Sequence, residues 1–231
     1  LGDAVAKLIG QSVALGPMLL LRFAVQVVLL APFIVLSLRP WRLSPRVLGV
    51  CTLRTGLHMA GIGFMFTALH HMPLADAIAI VFVLPFLNLF LGHVLLNETV
   101  GAARLFACIV GFTGTLFVIQ PSFAAVGWYA LLPLLVALLF SGFMLITRHI
   151  SQETDPIGLQ FISGLMATAF MLPLFVLVSA AELGDLTWAT PNSLEWGLLL
   201  AVGALGTLAH LLMTWSLRYA PSATVSPIQY V

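Results

Sequence analysis

The chain has 231 residues, of which 61% are hydrophobic and 7% charged, with mean hydropathy +1.12 and a formal net charge of +1. An average soluble domain is about 45–50% apolar and about 25% charged, and so few charges cannot coat a protein of this size with polar surface. Water-soluble globular domains, disordered chains and nucleic-acid binders are excluded, the last because this net charge supplies no basic field for phosphates. What remains is an all-α, polytopic membrane protein. Cys51 and Cys108 both sit in apolar runs and offer neither a disulfide framework nor a CxxC metal pattern.

A bilayer core of about 30 Å takes about 20 helical residues at about 1.5 Å each. A short apolar stretch covers residues 1–15. Longer runs follow at 17–38, 47–69, 74–96, 102–120, 126–147, 157–181 and 194–217, and a last run opens near Ser222 and reaches Val231. The breaks carry turn residues: Gly16-Pro17, Arg39-Pro40, Met72-Pro73, Gln120-Pro121, Asp155-Pro156 and Ala220-Pro221. The runs are continuously apolar, unlike the short alternating strands of a barrel, so they are predicted to be helices. Seven complete spans and two partial ones are expected, belonging to a longer parent truncated at both ends. Asp3 and Lys7 within the first stretch argue against a cleaved signal peptide.

Basic residues set the orientation. Arg39, Arg42 and Arg46 crowd one break, and Arg104, Arg148 and Arg218 flank every second break after it. The intervening breaks, near 11–16, 70–73, 120–127 and 182–195, hold no Lys or Arg. The arginine-rich breaks are therefore expected in the cytoplasm and the acidic 182–195 loop outside.

An internal repeat is also present. Leu69, Pro73 and Ala75 align with Leu217, Pro221 and Ala223, and Pro17 and Phe23 fall near Pro156 and Phe161. The spacing encloses five spans, an odd number that inverts the second copy, in agreement with the charge alternation. Inverted repeats of this kind mark secondary transporters, with a substrate site near the midplane.

Several motifs occur in order. Asp3-x-x-x-Lys7 closes the first stretch, and Arg22-Phe23 lies early in the next. Leu69-x-x-x-Pro73-Leu74-Ala75-Asp76-Ala77 enters the 74–96 run, which contains Pro85 and leaves through Asn97-Glu98. Gly111-x-x-Gly114 precedes Val118-Ile119-Gln120-Pro121-Ser122, and Tyr219-Ala220-Pro221 leads to Pro227-Ile228-Gln229-Tyr230. With these motifs the chain resembles EamA-type members of the drug/metabolite transporter superfamily over nearly its whole length. It departs from the family at Asn97-Glu98, where Gly-Glu is usual. The resemblance implies a bacterial inner-membrane carrier of two inverted five-helix repeats, here residues 1–121 and 122–231. It also implies a small organic substrate that is amino-acid-like, nucleoside-like or drug-like.

Polar groups inside the membrane cost roughly 2.5–3.5 kcal/mol each for Arg, Lys or Asp at a helix centre, so each needs a partner, water or a route to the interface. Lys7 either pairs with Asp3, four residues earlier on the same helix face, or holds an acidic substrate group. Arg22 either snorkels outward or reaches the depth of Lys7 on the neighbouring helix. Arg54 and His58 share a face one turn apart, ahead of Gly61, as either a cavity wall or a helix–helix contact. His58 could also carry a proton as the coupling ion, since its ordinary pKa is near 6.5. Asp76 suits the N-terminus of its helix. Pro85 frees the carbonyl of Val81, so a kink is expected there; with Asn88 one turn beyond it forms either a substrate-binding or hinge element or a packing kink satisfied by a neighbour, and Pro227 is a second hinge candidate. Glu98 is expected to pair with Arg104 or cap the next helix, a gate contact being the alternative. His210, Trp215, Gln229 and Tyr230 suit a planar or cationic metabolite. Single Ser and Thr residues are expected to bond back to their own helices, and Gly111, Gly114, Gly203 and Gly206 to permit close packing.

No HExxH, paired-aspartate or GxSG pattern appears, and neither cysteine has an evident catalytic partner. The expectation is a carrier working by alternating access, without cofactor or bound metal. Its partners are a small-molecule substrate, the lipid bilayer and, as a coupling ion, a proton; oligomeric state is left open. An intramembrane enzyme and a structural or receptor subunit are the alternatives. Lys7, Arg22 and Arg54 against Asp3 lean positive, which points to a substrate carrying a carboxylate.

Overall fold

The computed structural model describes residues 15–36, 43–119, 127–180 and 191–225, together with Val5, Val13 and Ile228. Among the described residues every regular element is helical. In chain order these are α1 (Leu15–Leu36), α2 (Pro45–His71), α3 (Leu74–Val81), α4 (Leu84–Leu96) and α5 (Ala102–Ile119). A 3₁₀ turn (Gly127–Ala130), α6 (Leu131–Ser151), α7 (Pro156–Ala180), α8 (Ser193–Tyr219) and the short α9 (Ser222–Val225) follow.

The helices start where local chemistry starts them. The Ser44 hydroxyl accepts from the Val47 amide at 3.3 Å, ahead of Pro45. The Asp155 carboxylate accepts from the Gly158 amide at 3.0 Å, ahead of Pro156. In both cases a capping side chain is followed by a proline in the first turn, where its missing N–H costs nothing. Before α8 the Glu195 amide donates to Asn192 Oδ1 at 2.9 Å and the Asn192 amide donates to Glu195 Oε2 at 2.8 Å, a reciprocal capping box. α4 ends at Asn97 in the left-handed region, φ +54°, and the Glu98 amide folds back to the Gly92 carbonyl at 3.0 Å.

The 74–96 run is not one continuous helix. It breaks at Phe82–Val83, and Pro85 stands in the first turn of α4, so the expected kink is a junction between two helices. Among the described residues six stretches are long and apolar enough to cross a membrane: Gly16–Leu36, Pro45–His71, Leu74–Leu96, Gly127–Ser151, Pro156–Pro173 and Ser193–Tyr219. The apolar part of α5, Ala102–Phe117, is shorter. Val28, Val35, Leu36, Phe106 and Phe117 are all exposed, a surface suited to lipid and not to water.

The chain divides into two compact units, one of residues 1–56 and 153–213, the other of residues 57–152 and 214–231. In the first, α1 packs along α7, with Leu30, Ile34 and Ile157 buried together beneath Phe161 and Leu211. Two glycines allow the helices to close. A Cβ at Gly164 would stand 3.1 Å from Val27 Cγ2, and one at Gly203 would stand 2.7 Å from both Cβ and Cγ1 of Val25. In the second unit α3 and α4 pack on α6, and Leu89 and Cys108 are buried against Phe86 and Val100.

Gly203→Ala should lower the thermal midpoint of the detergent-solubilised protein. Overpacking costs about 1–3 kcal/mol and exceeds the gain of about 1 kcal/mol in helix propensity. Gly197→Ala, in the same helix with nothing within 4 Å, should be neutral or slightly stabilising. Equal midpoints for the two variants would remove the close-approach role of Gly203.

Candidate functional site

In the first unit, four helices deliver polar side chains to one cluster. Arg22 and Gln26 stand one turn apart on α1, Cys51 and Arg54 on α2, Gln160 and Ser163 on α7, and Gly206 and His210 on α8. Arg22 Nη2 lies 3.2 Å from His210 Nε2. A guanidinium only donates, so Nε2 is the acceptor and the imidazole carries its proton on Nδ1. Gln160 Nε2 donates to the His210 carbonyl at 2.8 Å, and Gln26 Nε2 donates to the Gln160 carbonyl at 2.7 Å. Arg54, 0% exposed, donates from Nη1 to Ser163 Oγ at 2.6 Å, and Ser163 Oγ lies 3.4 Å from Cys51 Sγ.

The second unit holds a different set, arranged along α6. His58 stacks on Phe143 with ring centroids 4.7 Å apart, and Phe143 stacks on Phe140 at 5.2 Å. One residue beyond Phe143, Met144 Sδ lies 3.3 Å from Asn88 Nδ2. Asn88 is wholly buried, and its Oδ1 and the Ser141 hydroxyl have no hydrogen-bond partner among the described residues. Trp215 is 38% exposed. Asp76 is buried in the first turn of α3, as its position after Pro73 suggested.

Glu98 differs from expectation. Its Oε2 accepts from Ser222 Oγ at 2.7 Å, its Oε1 accepts from the Ser222 amide at 3.2 Å, and Arg148 Nε lies 3.9 Å away. Arg148 Nη1 also donates to the Leu217 carbonyl at 2.6 Å and the Arg218 carbonyl at 3.2 Å. Arg104 instead donates to the Thr99 carbonyl at 2.8 Å. Sequence proximity favoured Arg104, but the reversed chain at Asn97 turns the carboxylate over Gly92. A Cβ at Gly92 would stand 3.0 Å from both Glu98 Oε2 and Ser222 Oγ. One carboxylate and one guanidinium thus tie together the ends of α4, α6, α8 and α9.

Of the residues singled out in the sequence, Arg22, Arg54 and His210 fall in the first unit, and His58, Asn88, Pro85 and Trp215 in the second. Lys7, Pro227, Gln229 and Tyr230, with Asp3, lie outside the described residues. Gln26 was missed, although an amide one turn after Arg22 on the same face was a usable signal. Ser163 was read as bonding to its own helix, as Thr168 does to the Gly164 carbonyl at 2.8 Å, but it meets Arg54 instead. Among the described residues no three His, Cys, Asp or Glu side chains form a metal-binding group.

Ser163→Ala should destabilise the protein by about 1.5–3 kcal/mol, the cost of taking a hydroxyl from a buried charged donor. Thr168→Ala, which removes only a bond to its own backbone, should change stability by less than about 0.5 kcal/mol. Thermal unfolding of the two variants side by side checks this; equal shifts would detach Ser163 from Arg54.

The EamA-like transporter family matches residues 2–120 and 127–231. A riboflavin transporter of Brucella anthropi is 28% identical over 184 residues, 78% of this chain and 62% of the relative. The chain therefore spans less than two thirds of that relative's length. An S-adenosylmethionine uptake transporter of Rickettsia bellii is 24% identical over 229 residues, 99% of this chain and 75% of the relative. A solved crystal structure aligns with 98% of this chain and 78% of its own at TM-score 0.74 and 18% identity, which shows the shared fold. The family and these relatives are transporters, not enzymes, and among the described residues six stretches are long and apolar enough to cross a membrane. This chain is a multi-pass membrane protein that belongs to the EamA-like transporter family.

Proposed function

We propose that the protein is a secondary carrier of the bacterial inner membrane that moves a small organic metabolite bearing a carboxylate. Two inverted repeats, residues 1–121 and 122–231, rock to give alternating access. The observation that supports the substrate class is the polar cluster of the first unit. Its described helical stretches 15–36, 45–56, 156–180 and 193–213 carry Arg22, Arg46 and Arg54 and, within those stretches, one acid, Glu195. Arg46 belongs to the first turn of α2 and Glu195 to the first turn of α8, which leaves Arg22 and Arg54 as the cations within these described stretches. Guanidiniums present a rigid fork that matches a carboxylate, and water-excluded surroundings strengthen the attraction. Within this proposal a proton is the coupling ion.

The experiment is uptake into proteoliposomes of labelled S-adenosylmethionine, labelled riboflavin and a mixture of the common amino acids. S-adenosylmethionine and amino acids bear carboxylates and riboflavin does not. At least one carboxylate-bearing probe should accumulate, and Arg54→Ala or Arg22→Ala should reduce kcat/KM about tenfold or more, the worth of a charge-assisted hydrogen bond. Uptake of riboflavin alone, uptake unchanged in both variants, or no uptake of any probe would overturn this assignment. Transport that survives a collapsed pH gradient would remove the proton from the mechanism.

A further inference from the structure

We infer that Gly206 is a positioning residue for Arg22: the space left by its missing side chain is the seat in which the guanidinium lies. The functional consequence rests on the anion-holding role proposed for Arg22. A Cβ built at Gly206 would stand 2.9 Å from Arg22 Cζ and Nη2 and 3.0 Å from Nη1. A point in the guanidinium plane beyond the two nitrogens would be nearer to them than to Cζ. Near-equal distances place the point over the flat face of the group. The guanidinium therefore lies face-on against the backbone of α8, with its N–H donors directed sideways. From that seat Nη2 reaches His210 Nε2, one helical turn further along α8, at 3.2 Å. The His210 carbonyl is in turn held by Gln160 at 2.8 Å, and the Gln160 carbonyl by Gln26 at 2.7 Å. The cation is thus fixed both by the face it lays on Gly206 and by the edge it gives to His210.

Gly203, one turn earlier on α8, has a different role. A Cβ there would stand 2.7 Å from Cβ and Cγ1 of Val25, atoms that cannot retreat without moving α1. At Gly206 the three atoms nearest to a Cβ all belong to the end of a flexible side chain, which can swing away by rotating its own bonds. Alanine at 206 should therefore leave the helices in place and move the charge. This separates positioning from packing within a single helix, and it makes the residue at 206 a determinant of how an anionic substrate is held.

The test combines two readouts on the reconstituted protein. The first is the rate of phenylglyoxal modification of Arg22, followed by peptide mass spectrometry, which reports the seat without transport. The second is KM for labelled S-adenosylmethionine. Gly206→Ala should raise the modification rate several-fold and raise KM about tenfold, the loss of one charge-assisted hydrogen bond, with the thermal midpoint unchanged. The double variant Arg22→Ala/Gly206→Ala should match Arg22→Ala alone, because the two act through one group; Gly206→Ser serves as a second probe of the same space. Wild-type Arg22 reactivity in both Gly206 variants would overturn the inference, as would an unchanged KM where Arg22→Ala raises it. If Arg22→Ala leaves uptake unaffected, or S-adenosylmethionine is not taken up, the anion-holding proposal fails for this probe. The modification rate then decides the seat by itself: faster supports it, unchanged overturns it.

Discussion

A guanidinium in a bilayer must have its N–H groups met by protein, and the bond from Arg54 to Ser163 is where this constraint acts on the first unit. Arg54 is wholly buried and donates to a hydroxyl 2.6 Å away on another helix. For that hydroxyl to be in place, α7 must sit at one height and one rotation relative to α2. The next residue, Gly164, lets α1 approach to within van der Waals contact through Val27 and Gln26. Gln26 then reaches the Gln160 carbonyl, and Gln160 the His210 carbonyl, so α1, α7 and α8 are held in register by amide side chains that have no water to turn to. Apolar packing alone specifies register weakly inside lipid, where tails are as apolar as Leu; directional bonds to backbone carbonyls specify it more strongly.

In the second unit a charge pair serves helix ends. Glu98 caps Ser222 through both its amide and its hydroxyl, and Arg148 meets the last carbonyls of α8. Helix termini leave orphan donors and acceptors, which are costly at a membrane surface unless something answers them. At 3.9 Å the Arg148–Glu98 pair is a long contact, and the hydrogen bonds each partner makes to a helix end are shorter. The pair is better understood as two caps that share a neighbourhood than as a salt bridge valued for its Coulomb energy.

Much of the architecture is legible in the amino acids because lipid enforces simple rules. Continuous apolar runs separated by proline-bearing breaks such as Asp155-Pro156 read directly as helices, whereas the caps at Ser44 and at Asn192-x-x-Glu195 were not singled out. Pro85 signalled a disturbance, although a break into two helices was not distinguishable from a kink. The site was less legible, for two physical reasons. Ser163 and Thr168 have the same local pattern, and only the arrival of Arg54 from another helix makes one a partner and leaves the other bonded to its own backbone. Glu98 has a basic residue close in sequence at Arg104, but the left-handed turn at Asn97 redirects it to residues that no spacing rule connects. Long-range partnership is a property of packing and is not encoded in any one segment.

A carrier's binding charge faces opposing demands. It must be supported enough to survive in lipid and yet retain the field that attracts a substrate. A carboxylate partner meets the first demand and cancels much of the second, since two opposite charges a few ångströms apart leave only a dipole. A hydroxyl or a neutral imidazole accepts an N–H without itself adding a negative charge. Ser163 and His210 are partners of that kind for Arg54 and Arg22. The same logic gives glycine two meanings on α8: at 203 its missing side chain admits another helix, and at 206 it admits a charge. Small residues in membrane helices are usually credited to helix–helix packing, but at Gly206 the atoms that approach are those of a guanidinium, and a space that fits a functional group is part of the site that group forms.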